Sequence, residues 1–170
     1  VLFYRSYEDV RSTSLERMLQ IAKSEALVSE KEIGGTVHII NNLASVLETI
    51  KEGGDANRGK ADDILRDMLE SNPNILALWT GWEPDAFDGK DADFAGKAGY
   101  DATGRYVPYW VRGGNGQITN TALNDYATAG PGDYYQLPFT TQKTVVIEPY
   151  PYAIDGKDVL ITSVAKPIVV

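Results

Sequence analysis

The hydrophobic period changes once along this chain, near residue 70, and that change restricts the fold more than any other feature of the sequence. From Leu15 the apolar side chains recur at Leu15, Met18, Leu19 and Ala22, then at Ile33, Val37, Ile40, Leu43, Val46, Leu47 and Ile50. Steps of three and four put such residues on one face of an α-helix. Ser29 and Glu32 form a capping-box pattern and Gly34-Gly35 lowers helix propensity, so a long helix with a break at residues 28–36 is predicted. Gly53-Gly54 closes this stretch. A second helix is predicted over residues 60–70, with Ile64, Leu65, Met68 and Leu69 apolar and Asp62 and Arg66 at i,i+4 spacing. Asn72-Pro73 stops it.

Beyond residue 70 the apolar runs have strand length. Residues 75–82 (ILALWTGW) are the first, and residues 85–103, rich in Gly and Asp, read as a loop. Residues 106–111 (YVPYWV) form the next strand, with Pro108 marking a bend or an edge position. Residues 113–116 (GGNG) are a hairpin-type turn leading into a strand over 117–123. The last pair spans 144–154 and 159–169, joined at Asp155-Gly156, a strong hairpin signal. Helices followed by antiparallel strands predict an α+β domain, a sheet backed by a long helix. At 170 residues the chain has the length of one domain: residues 1–70 form its helical part, and 71–170 its sheet and loops.

Composition then removes several functions. Sixteen Lys and Arg against twenty-four Asp and Glu give a net charge of −8. Nucleic acids and anionic membrane surfaces reward clustered basic residues, so neither is an expected partner. There is no cysteine, hence no disulfide, thiolate metal site or cysteine nucleophile. No apolar run approaches the roughly 18 residues that span a bilayer. A single histidine, His38, cannot build a histidine metal site or a catalytic triad and reads as a helix residue. Asp88, Asp91 and Asp93 look like half a calcium loop, but the glycine offset is wrong and the closing glutamate is missing. No cofactor, metal or enzymatic activity is expected.

Two constellations remain. The first is the segment 79–88 (WTGWEPDAFD), where Trp82, Glu83 and Asp85 set carboxylates beside indoles. This pattern suits a sugar platform or a glycosidase pair, whose carboxyl groups would stand about 5–9.5 Å apart. Equally, it suits a strand-end aromatic in the core followed by a solvated acidic loop. The second is the aromatic set Tyr109, Trp110, Tyr134, Tyr135, Tyr150 and Tyr152, with Asp133 and Glu148 interleaved. Tyr150 and Tyr152 are two apart on a predicted strand and share a face, whereas Tyr109 and Trp110 lie on opposite faces of theirs. Ring faces near a carboxylate are what an ammonium cage requires, each contact contributing roughly 0.5–2 kcal/mol. Micromolar binding needs about 8 kcal/mol, which two or three rings and one desolvated carboxylate largely supply.

Three stretches carry a family resemblance: Asp133-Tyr134-Tyr135, residues 144–150 (TVVIEPY) and residues 156–168 (GKDVLITSVAKPI). With the N-terminal helix and the strand near Trp79, the chain resembles the membrane-distal module of double Cache (PAS-like) domains in bacterial methyl-accepting chemotaxis receptors. The resemblance implies a sensor of small molecules, bound between the sheet and the loops after its central strands. Amino-acid-binding members carry Arg-x-Trp-Tyr for the ligand carboxylate and Tyr-x-Asp for its amine. Here those segments align with Gly132-Asp133-Tyr134-Tyr135 and Tyr150-Pro151-Tyr152, so both the Arg and the Asp are replaced. These replacements imply a cationic amine or quaternary ammonium ligand, held by Trp110, Tyr134, Tyr135, Tyr150 and Tyr152 with Asp133 as counter-charge. Trp82, Glu83 and Asp85 are further candidates.

Alternatives stay open at this point. An amino-acid or small-carboxylate sensor would use Arg105 or Arg112; the same module also serves histidine kinases, and a carbohydrate-binding protein would use Trp79 and Trp82. The resemblance further implies a piece of a larger, membrane-anchored receptor, a periplasmic location, a strand and second module after Pro167-Ile168, and a homodimer through the N-terminal helix.

Overall fold

Helical periodicity in the first seventy residues is realised as two helices, α1 (Leu2–Glu52) and α2 (Arg58–Ser71). The computed structural model describes residues 2–154 and 156–170. α1 starts well before Leu15 and runs through residues 28–36 without the predicted break. Each glycine costs about 1 kcal/mol against alanine in a helix, but neither removes a backbone donor as proline does. Thr36 Oγ1 also donates back to the Glu32 carbonyl at 3.0 Å. Ser29 and Glu32, in mid-helix, have no helix start to cap. α2 does begin with a side-chain cap, the Asn57 carbonyl oxygen accepting from Lys60 N at 3.0 Å.

The chain divides into two units, residues 1–38 and 39–170. In the first, Leu15, Met18 and Leu19 are exposed along α1. In the second, Leu43 and Leu47 of α1 and Ala61, Leu65 and Leu69 of α2 are buried with Leu78, Trp82, Phe87 and Tyr106. Emptying one such leucine position costs about 2–5 kcal/mol, so this cluster is what fixes the helices on the sheet.

The strands are β1 (Ala77–Trp79), β2 (Pro108–Arg112), β3 (Ile118–Ala122), β4 (Val145–Ile154) and β5 (Lys157–Ala165). They form two antiparallel sheets, one ordered β1-β2-β3 and the other the β4-β5 hairpin. The β2–β3 turn closes as the 113–116 signal predicts, with Gly116 at φ 81° and Gly113 N donating to Gln117 O. Asp155, of the Asp155-Gly156 signal, lies outside the described residues, and Gly156 has φ 76°. A register shift between Ile147 and Tyr150 interrupts the hairpin at Glu148-Pro149.

The polar loop after β1 holds one helical turn, α3 (Asp91–Phe94), and is organised by Arg58, which is only 3% exposed. Its guanidinium grips both carboxylate oxygens of Asp88 (2.9 and 2.7 Å), reaches Asp91 Oδ1 at 2.6 Å, and donates to Gly104 O at 2.7 Å. Phe94, Tyr100 and Tyr106 surround it, with centroids at 4.2, 5.4 and 5.4 Å. Two of the three carboxylates of the half calcium loop, Asp88 and Asp91, therefore serve an arginine. Gly104 has φ 75°, and a Cβ there would lie 1.9 Å from Asp91 O, so no larger residue fits without moving the loop.

A helix missing from the sequence reading, α4 (Asp133–Thr141), follows the Gly130-Pro131-Gly132 turn. It packs against the β4–β5 hairpin. Its C-cap, Gln142, takes the left-handed conformation, and Gln142 N donates to Pro138 O.

Candidate ligand-binding site

Strand alternation sorts the aromatic residues of the three-stranded sheet onto two faces. Leu78 lies opposite Trp110, and Trp79 opposite Tyr109. Paired residues share a face, so Leu78 and Trp110 turn to the helices while Trp79 and Tyr109 turn the other way. On the helix side, Trp110 Nε1 donates to Asp62 Oδ1 of α2 at 3.2 Å, and Tyr106 Oη donates to the same oxygen at 3.1 Å. Trp110 is thus tied into helix–sheet packing, away from Tyr134, Tyr150 and Tyr152. Trp82, 5% exposed, packs on Phe87 with centroids 4.9 Å apart.

The opposite face is where aromatic side chains from separate elements converge. Tyr134 of α4 meets Trp79 edge-on, with centroids 5.1 Å apart at 75°. Tyr152 of β4 meets Tyr109 at 6.5 Å. Tyr150, on the same face of β4 as Tyr152, shares a 2.8 Å hydrogen bond with Ser163 Oγ of β5. Tyr134 Oη donates to the Asn124 carbonyl. All four tyrosines are half-buried.

Burial, and next the Tyr152 hydroxyl, push the Tyr109 phenol far above its ordinary value. Burial and next the charge of Asp125 do the same to Tyr134. Both phenols stay neutral at physiological pH and offer ring faces and hydroxyls, not anionic charge.

A second cluster adjoins it through the next residue of α4. Tyr135 Oη donates to Glu83 Oε1, and Arg105 Nη2 lies 3.1 Å from both that oxygen and the Tyr135 hydroxyl. Arg105 Nε also donates to Trp82 O at 2.9 Å, and its guanidinium lies over the Tyr126 ring at 4.8 Å. Burial and the bond to Glu83 push the Tyr135 phenol up to about 12. Tyr126 in turn donates to Asp101 Oδ2 at 2.7 Å.

Of the residues nominated from sequence, Tyr134, Tyr150 and Tyr152 come together, and Tyr135 and Glu83 meet beside them. Trp110 and Trp82 are packed in or against the core. Asp85 stands at φ 57° in a reciprocal pair with Asp91, each backbone N–H donating to the other's carboxylate. Asp133, at the start of α4, accepts from Gly130 N at 2.9 Å. His38 is exposed on α1. Tyr109, named in the aromatic set, and Trp79, named for the carbohydrate reading, fall outside the nominated cage, and Asp125 has no role in it. The first was findable from the Tyr109/Trp110 alternation, because choosing one face of β2 excludes the other. Among the described residues no group of three or more His, Cys, Asp or Glu side chains is placed to hold a metal.

A hydroxyl-rich aromatic face thus lies on an antiparallel sheet, flanked by a short helix and a hairpin. The profile of the methyl-accepting chemotaxis protein-like first PDC sensor domain matches residues 61–170. The chain belongs to that family. It is 30% identical over 115 residues to the methyl-accepting chemotaxis protein TlpQ of Pseudomonas aeruginosa, a match covering 61% of this chain and 16% of that protein.

Among solved structures it is similar to the extracellular domain of mmHK1S-Z3, named as a histidine kinase, with 34% identity and a TM-score of 0.63 over 78% of this chain and 51% of that one. It is also similar to a structure named methyl-accepting chemotaxis protein X, at 30% identity and a TM-score of 0.63 over 86% of this chain and 55% of that one. The chain therefore spans about half of these solved domains and a sixth of the longer receptor. It is an α+β sensor domain of the kind carried by chemoreceptors and histidine kinases. Among the described residues no helix is long and apolar enough to cross a membrane.

Proposed function

We propose that this domain senses a cationic amine or quaternary ammonium compound on the periplasmic side of a membrane-anchored chemoreceptor. One observation carries the reading: Trp79, Tyr109, Tyr134, Tyr150 and Tyr152 share a half-buried face of rings and hydroxyls, while Arg105 and Arg112 are engaged elsewhere. Arg105 pairs with Glu83, and Arg112 Nη2 donates to Leu69 O at 2.6 Å on the helix side. A carboxylate ligand would need one of them; a cation needs only ring faces and a nearby negative charge. Asp133 adjoins Tyr134 in sequence, the charge of Asp125 acts on the Tyr134 phenol, and the chain's net charge of −8 favours a cationic ligand.

The test is a thermal-shift screen of the domain against putrescine, choline, α-amino acids, small organic acids and sugars. A ligand at a hundredfold excess over its dissociation constant adds about 2.7 kcal/mol of stability, which appears as a raised Tm. Stabilisation by the amines alone, with affinity about 3–30-fold weaker in Tyr152→Ala, is the expected result. Stabilisation by amino or organic acids alone would keep the sensor and reject the amine, and a response only to sugars would favour the carbohydrate reading.

We also infer that the receptor is a homodimer joined along α1. Leu15, Met18 and Leu19 are exposed there at helical spacing, and an exposed apolar stripe on a long helix is the pattern of a helix–helix seam. Sedimentation equilibrium is expected to give a dimer that Met18→Lys converts to monomer. A wild-type monomer throughout the micromolar range would reject this interface.

A further inference from the structure

We propose that Arg105, Glu83 and Tyr135 form a latch that holds α4 in place, and that the latch sets how tightly the Tyr134 side of the aromatic site is closed. The inference rests on the reading of that site as the ligand wall only for its consequence, not for the latch itself.

Three separate stretches of chain meet in it. Glu83 follows β1, Arg105 precedes β2, and Tyr135 lies in the first turn of α4. The Glu83 Oε1 atom accepts from both other members, and the Arg105 guanidinium is held by the Trp82 carbonyl and covered by the Tyr126 ring. A fully exposed pair of this kind contributes little. Two features strengthen this one: the Arg105 side chain is only 12% exposed, and the Tyr135 hydroxyl adds a charge-assisted bond to the same carboxylate oxygen.

The Tyr135 ring also seats against the backbone. It is 8% exposed, and a Cβ on Gly81 would approach its ring atoms to 2.8 and 3.0 Å. Only glycine at position 81 lets the ring lie there. Phe139, one turn later in α4, stacks on the same ring with centroids 5.9 Å apart at 10°. The helix is therefore fastened to the sheet through Tyr135, and the adjacent residue, Tyr134, is the one that closes on Trp79. Loosening the first frees the second, because the two share a helical turn.

In the latch these residues act on the wall by positioning α4. Tyr135→Phe removes the hydroxyl and keeps the ring; Gly81→Ala keeps the hydroxyl and displaces the ring. Hydrogen exchange on the ligand-free domain is the direct readout, comparing α4 amides with those of α2. Both variants are expected to exchange about tenfold faster in α4 while α2 is unchanged, and Arg105→Lys, which keeps the charge but loses the fork, is expected to fall between them and wild type. Unchanged exchange in α4, or an increase spread evenly over α2 and α4, would overturn the latch. With putrescine as probe, the dissociation rate should rise five- to twentyfold with the association rate within twofold. If putrescine and choline fail to bind the wild type while α4 alone loosens in the variants, the amine reading falls and the latch stands.

Discussion

The two faces of the three-stranded sheet carry the same kinds of side chain and use them differently. On the helix side, Phe94, Tyr100 and Tyr106 enclose Arg58, whose charge is answered by Asp88 and Asp91, and Asp62 accepts from Trp110 and Tyr106. Every ring there has an ionic or apolar partner within the chain. On the far side, the hydrogen-bond and ring partners described for Trp79, Tyr109, Tyr134, Tyr150 and Tyr152 are one another, backbone and serine, with the charge of Asp125 acting on Tyr134, and all five stay half-buried. The first arrangement is complete in itself. The second leaves ring faces for something else, and that contrast, more than aromatic content, separates structural from receptive surface.

Removing Arg58 should give the largest effect and test the first half of the contrast. Arg58→Ala leaves Asp88 and Asp91 buried without their cation, which is expected to cost about 3–5 kcal/mol in urea denaturation. Tyr109→Ala, on the other face, should cost about 1 kcal/mol of stability yet weaken amine binding at least threefold. The two variants should thus rank in opposite order for stability and for binding. Equal stability losses would show that the far face is ordinary core and break the comparison.

The sequence made much of this framework legible, and where it did not the reason is physical. The shift from helical spacing to strand-length runs placed α1, α2 and the five strands, because each element buries one face and periodicity records which. Alternation in β2 placed Tyr109 and Trp110 on opposite faces, but nothing local said which face met a helix. That depends on Asp62, 48 residues away from Trp110 in sequence. Arg58 carries no local signal of its role, since its partners lie in the loop 30 residues or more onward. α4 was hidden by Gly130-Pro131-Gly132 and by Pro138 within it, signals that ordinarily end helices. The break expected at Gly34-Gly35 shows the reverse error, a local weakness overridden by the rest of a long helix.

The smallest effect expected is also the one that probes the contrast by charge alone. Asp62 belongs to the helix face, and burial raises its pKa above 3.8 against the opposing donors Trp110 and Tyr106. Asp101 stands on the loop that reaches Tyr126; burial raises it too, but donors from Thr103, Tyr126 and Gly104 outweigh this and hold it below 3.8. Linkage gives the two opposite signs. The folded state binds the Asp62 proton more tightly than the unfolded chain, so this group makes stability fall as pH rises from 3.8 through its folded value. Asp101 binds its proton less tightly when folded, so its contribution is present above 3.8 and lost as pH falls below it. Melting temperatures from pH 3 to 7 should therefore show the stability deficit of Asp101→Asn shrinking on acidification. Asp62→Asn should instead remove a decline that wild type shows above pH 3.8. Parallel curves for wild type and both variants would mean that the carboxylates act through packing, and that charge does not distinguish the helix face from the loop that reaches Tyr126.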